Sequence, residues 1–155
     1  MKKLFFLVLL VGILAVSCGS TSGSAKMSNF SEATGKDWKL IEVSTEKKEI
    51  LFNRKNLKSE NAANIFTLRF DAENIFGAGA PNRYSAPYKL GEDGAISIEM
   101  VRTTLMASIM EPEKLREHDF FTYIQNAYEW NFVEKNLELT SKNVNGEIAK
   151  LIFSL

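Results

Sequence analysis

The chain has 155 residues, 45% of them apolar and 25% charged, with 19 basic residues set against 19 acidic ones. That length and composition fit one globular domain with a sizeable core and exclude disorder along most of the chain. The formal charge of zero supplies no basic field for a phosphate backbone, so nucleic acid is excluded as a partner class.

The chain opens with Lys2-Lys3, an apolar run from Leu4 to Val16, and Ser17 before Cys18, the single cysteine. A basic start, a short apolar run and small residues make a secretory signal over residues 1–17. The run is shorter than the about 20 apolar residues that a membrane-spanning helix needs. Ala15-Val16-Ser17-Cys18 resembles the lipobox of bacterial lipoproteins, with Ala15 where leucine is usual and Leu14 one place earlier. The resemblance implies cleavage before Cys18 and acylation of its thiol, so Cys18 is the expected lipid attachment site and the membrane the expected first partner. Cleavage removes two of the 19 lysines and arginines, which leaves a weakly acidic chain with no electrostatic pull toward anionic lipid. Anchoring then rests on the acyl chains, at roughly 0.8 kcal/mol per buried methylene. Gly19 stands where an aspartate would retain a lipoprotein at the inner membrane, so the expected location is the cell envelope, at the outer membrane in a diderm host.

Residues 18–36 are rich in Gly, Ser and Thr through Thr34 and lack periodicity, which predicts a flexible tether reaching about 20 Å. The folded domain is expected over 37–155. Asp37 to Val43 predicts a first strand opened by Trp38, Glu46-Lys47-Lys48-Glu49 a turn, and Ile50-Leu51-Phe52 a short apolar segment. Asn53 to Asn64 reads as a polar solvated loop. Phe66, Leu68 and Phe70 alternate with Thr67 and Arg69, and Tyr84, Ala86, Tyr88 and Leu90 with Ser85 and Lys89, the period-two signature of strands. Asp71 to Asn74 supplies turn chemistry between them, and Gly77 and Gly79 allow a bulge or a close backbone approach.

After the turn Gly91-Glu92-Asp93-Gly94, Ile96, Ile98 and Met100 form the dry face of another strand. Glu111 to Ala127 predicts the one helix, with Pro112 at its first position and Leu115, Phe120, Ile124 and Ala127 on its apolar side. Tyr128 to Phe132, Leu137 to Leu139 and Ile148 to Phe153 give the closing strands, with hairpin turns at Glu134-Lys135-Asn136 and Asn145-Gly146. The pattern sums to about nine short strands and one amphipathic helix, a mainly β (α+β) chain.

The order of these pieces resembles the META domain, the fold of the heat-inducible HslJ-like bacterial lipoproteins. The resemblance rests on Trp38, on Phe70-Asp71, on Gly77 to Ala86 (GAGAPNRYSA, with Asn82, Arg83, Tyr84 and Ser85 in place), and on Thr104-Leu105-Met106-Ala107-Ser108. The family's two cysteines are replaced by Pro81 and Ser108, and Ala86 stands where glycine is usual. Joint loss of both implies that the two segments are neighbours in space and that thiol chemistry is absent. For fold, the resemblance implies an antiparallel, partly open β-barrel or curved sheet with the helix packed across it. For function it implies stress- or envelope-related roles without an agreed enzymatic activity.

Chemistry is sparse. Gly77-Ala78-Gly79-Ala80-Pro81-Asn82 lacks the third glycine and the following helix of a phosphate loop. His118, the one histidine, has Glu117 and Asp119 as immediate neighbours, and such neighbours do not converge on a helix. No catalytic residue, metal or cofactor is therefore expected, and the chain reads as a binding protein and not an enzyme. Asn82, Arg83, Tyr84 and Thr104, with Arg102 and Thr103, form a candidate interaction patch, set against a purely structural reading as turn-bonding side chains. Two functions follow: an envelope interaction module with a protein partner, or a half-open barrel carrying an acyl chain or other apolar ligand. Phe66, Tyr88 and Phe121 are the candidate lining of such a barrel.

Overall fold

The alternating segments emerge in the computed structural model as ten strands, and the amphipathic segment as one helix, among described residues 29–57, 64–107 and 111–155. In chain order they are β1 (Trp38–Thr45), β2 (Ile50–Asn53), β3 (Thr67–Phe70), β4 (Asn74–Ala78), β5 (Arg83–Leu90), β6 (Ile96–Ile98) and β7 (Arg102–Thr103). Then come α1 (Glu117–Gln125), β8 (Glu129–Val133), β9 (Asn136–Lys142) and β10 (Ile148–Ser154). All strand pairs are antiparallel, in the order β6-β5-β4-β3-β1-β10-β9-β8, with β2 added on β1 and β7 on β5. A bridge between Ala95 and Glu129, with Ile96 N–H donating to the Tyr128 carbonyl at 3.1 Å, brings β6 to β8 and nearly closes the sheet into a barrel.

Inward positions are filled by large side chains. Trp38, Leu40, Phe66, Leu68, Phe70, Ile75, Leu137, Leu139, Leu151 and Phe153 are all buried from the strands and their entries. Helix α1 lays Phe120 and Ile124 across them, with Leu115 just before it and Ala127 just after, all buried. The Phe120 ring meets Phe66 at 4.7 Å between centroids. Each such side chain contributes about 1.5–3 kcal/mol of hydrophobic stabilisation.

Several expectations from sequence are corrected. The helix starts at Glu117 and not at Glu111, because Arg116 is extended while the buried Leu115 drops from the preceding segment into the core. Asp119 accepts from Arg116 N–H at 3.3 Å and closes the first turn. Packing begins before Asp37: Phe30 sits edge-on to Phe70 and Trp130 at 4.8 Å each, Ala33 is buried, and its carbonyl accepts from Trp38 Nε1 at 2.9 Å. The tether's far end is thus part of the domain. Met100, expected on a dry face, is 75% exposed because β6 ends at Ile98. Arg54, expected in a solvated loop, instead staples the chain. Its Nε donates to the Leu40 carbonyl at 2.5 Å and its Nη2 to the Ile65 carbonyl at 2.6 Å, and burial lowers its pKa. The expected signal peptide 1–17 and Cys18 lie outside the described residues, as does Ser108. No helix among the described residues is long and apolar enough to cross a membrane.

Candidate functional site

The patch residues separate into two sets, one buried and one facing out. Asn82 sits in the turn between β4 and β5, next to the cis Ala80–Pro81 bond, and is buried. Its Nδ2 donates to Glu117 Oε2 at 2.6 Å and to the Met106 carbonyl at 3.0 Å. Its Oδ1 accepts from Thr104 Oγ1 at 2.8 Å and from Met106 N–H at 2.7 Å. Glu117, itself buried at the first position of α1, also accepts through Oε1 from the backbone N–H of Asn82 at 2.6 Å and from that of Ala80. One amide and one carboxylate thereby tie three segments together. Asn82, Thr104 and Glu117 are committed to this latch, which satisfies the buried carboxylate with N–H donors as burial requires.

Tyr84 is equally committed. Its ring points inward from β5 and packs on Phe120 and Phe121, and its hydroxyl donates to the Thr67 carbonyl at 2.8 Å. Burial pushes that hydroxyl's pKa up. Gly77 makes room for the ring: a Cβ there would lie 2.0 Å from the Thr67 oxygen and 2.5 Å from Tyr84 Cε1. Gly79 serves the latch in the same way, since a Cβ would stand 2.5 Å from Glu117 Oε1.

The outward face of the same strands tells a different story. Register places Arg69 opposite Phe76, Phe76 opposite Ser85, and Ser85 opposite Arg102, so four side chains form one row across β3, β4, β5 and β7. Arg83 lies two residues from Ser85 on the same face of β5. These residues, with Asp37, Thr67, Thr103 and Thr104, line an open groove of about 560 Å³. Arg69 pairs with Asp37 at 3.3 Å in an exposed, weak contact. Arg83 and Arg102 are exposed, and their guanidinium groups have no partner among the described residues. Phe76 is 41% exposed at the centre. Of the predicted patch, then, Arg83 and Arg102 are presented to solvent, while Asn82 and Tyr84 hold the wall behind them.

Arg69 and Phe76 were not among the sequence candidates. Period-two alternation in β3 and β4 marks both as outward-facing, but only the strand register shows that they continue the row of Arg102. His118 is exposed on α1 and is not part of the groove lining; its backbone carbonyl accepts from Thr122 Oγ1 at 3.0 Å. The proposed lining of a hollow barrel is instead packed. Phe66 is buried against Phe52 and Phe120, Phe121 stacks on Tyr84, and Tyr88 contacts Phe70 and Phe30 while its hydroxyl donates to the Asp71 carbonyl at 2.8 Å.

Comparison with known proteins gives a consistent picture of the fold. The META domain family model matches residues 31–150. An NMR structure of a protein from Burkholderia xenovorans is similar with a TM-score of 0.57 at 16% identity, covering 80% of this chain and 85% of that one. A crystal structure of a DUF4847 family protein from Bacteroides vulgatus is similar with a TM-score of 0.51 at 12% identity, covering 81% and 95%. At such identities the likeness concerns fold alone. No curated protein matches the chain.

Proposed function

The chain belongs to the META domain family, and on that footing we propose that it is a lipid-anchored envelope protein that binds a protein partner through the outer groove of its barrel. The observation that carries this reading is the row Arg69–Phe76–Ser85–Arg102, joined by Arg83. Three arginines and an aromatic ring share one sheet face, and two of the guanidinium groups have no partner among the described residues, which suits a recognition surface. Arginine and aromatic side chains are enriched at protein interfaces and among the few residues that dominate their binding energy. The filled barrel argues against the carrier alternative, because the side chains expected to line it are packed on other rings: Phe66 on Phe52 and Phe120, Phe121 on Tyr84, and Tyr88 on Phe70 and Phe30. Binding rather than catalysis fits a site whose buried carboxylate, Glu117, is engaged by three N–H donors. Anchoring through Cys18 and a stress- or envelope-related role complete the proposal.

The test is a photo-crosslinking amino acid placed at Ser85 in the full chain, expressed in its own host. The expected result is one dominant protein adduct, lost when Arg83 and Arg102 are both changed to Gln. Adduct formation that is unaffected by the arginine changes, or that occurs equally from a probe at His118, contradicts the groove reading.

A further inference from the structure

The spacing of the groove says more about what it takes. Neighbouring strands lie about 4.8 Å apart, so the three steps from Arg69 to Arg102 span about 14 Å. An extended polypeptide rises about 3.4 Å per residue and points residues i, i+2 and i+4 to one side, so four residues also span about 14 Å. The two repeats coincide at the ends, and the middle position falls over Phe76 and Ser85. Resting on the groove reading above, we infer that the occupant is an extended acidic segment of a partner protein, with carboxylates at i and i+4 over Arg69 and Arg102 and an apolar side chain at i+2.

Charge complementarity supports that commitment. The groove carries three arginines against one carboxylate, Asp37, in a chain whose total charge is balanced. This face therefore holds a local positive excess. Arginine forks bind carboxylates with paired charge-assisted hydrogen bonds, and two such forks a fixed distance apart select for spacing as well as charge. Arg83, two residues from Ser85 on the same face, offers a further cation, while the Ser85 hydroxyl engages no partner among the described residues and can meet the peptide backbone. Arg69 and Arg102 stand at the two ends of the row, about 14 Å apart by strand spacing, which suits distributed carboxylates better than a single phosphate. A concave groove with a half-exposed ring at its centre also suits a chain better than a flat lipid surface.

The experiment is fluorescence anisotropy of the full chain in detergent with labelled Gly/Ser peptides carrying Glu-x-Leu-x-Glu. Saturable binding is expected, weakened about tenfold by Arg102→Gln or Arg69→Gln and by moving the second Glu to i+1. Equal binding of the shifted peptide, or indifference to both arginine changes, overturns the proposal. Flotation of Cys18→Ala full chain with phosphatidylglycerol vesicles, dependent on Arg83 and Arg102, in the absence of peptide binding assigns the face to a membrane and also overturns it. A protein adduct at Ser85 without any peptide binding overturns the acidic-segment assignment and leaves the groove reading standing. Absence of both removes the two together.

Discussion

Asn82 Nδ2 donates to Glu117 Oε2 at 2.6 Å, joining the turn before β5 to the first residue of α1 across 35 positions of sequence. The amide's oxygen holds Thr104 and Met106 at the same time. The groove's rear wall is therefore set by a polar latch, whereas its cations stand in solvent. Stability and recognition can be separated by mutation.

Removing the latch is expected to destabilise without touching the arginines. Glu117→Ala leaves Ala80 N–H and Asn82 N–H without their acceptor and the Asn82 amide with only the Met106 carbonyl, and Asn82→Ala leaves a buried carboxylate short of a donor. Each change should cost about 2–4 kcal/mol, since bonds to charged groups contribute about 1.5–3 kcal/mol and stranded buried groups add to the loss. Urea unfolding of the full chain measures it. A change under about 0.5 kcal/mol for both would show that the latch does not hold the fold.

How much of this was legible beforehand follows from range. Alternation within Phe66–Phe70 and Tyr84–Leu90, the apolar face at Phe120 and Ile124, and the turn at Asn145-Gly146 are local patterns, and the structure places strands, helix face and turn where they point. The resemblance to the META domain supplied the architecture that local patterns could not. The helix start was missed because Pro112 and Glu113 mimic a helical first turn, while the group that fixes the true start is Glu117 reaching to Ala80 and Asn82. Phe30 was missed because a Gly/Ser-rich neighbourhood hides one aromatic residue whose partners, Phe70, Tyr88 and Trp130, are all distant in sequence. Asn82, Arg83, Tyr84 and Thr104 drew notice as a group, but alternation alone could not say which of them spend their polar atoms on the backbone.

Gly77→Ala should destabilise by about 1–3 kcal/mol, because the new methyl group overlaps the Thr67 carbonyl and the Tyr84 ring, and overpacking of a closed site has that magnitude. Thermal unfolding of the full chain checks it. Gly35→Ala is the control for space: nothing lies within 4 Å of its Cβ, so any loss there reflects only its φ of +73°.

Stability should fall in alkali through Tyr84. Its hydroxyl ordinarily loses its proton near 10.0, and burial raises that value in the folded chain. The folded state then holds the proton more tightly than the unfolded state, so this contribution is whole below about pH 10 and is lost as pH rises further. Tyr84→Phe should lose about 1 kcal/mol at neutral pH, from the bond to Thr67, and show a shallower fall above pH 10. Tyr88 and Tyr123 are raised too, first by burial, so the residual slope is not zero. Equal alkaline slopes in the two proteins would remove Tyr84 from the account.

Cys18→Ala should abolish acylation and leave residues 1–17, with their apolar run, attached to the chain, read by mass spectrometry of the N-terminal peptide. A substituted chain that is still acylated, or still cleaved after Ser17, would place the anchor elsewhere.

The central claim, that the outer row of β3, β4, β5 and β7 is the binding surface, is tested most directly by arginine-selective labelling with phenylglyoxal. The full chain is labelled in intact envelopes and, separately, after purification in detergent, and modification is read residue by residue by mass spectrometry. The account predicts that Arg83 and Arg102 are shielded in envelopes and become reactive on purification, whereas Arg116, exposed before α1, reacts alike in both. Equal reactivity of Arg83 and Arg102 in the two preparations would contradict it.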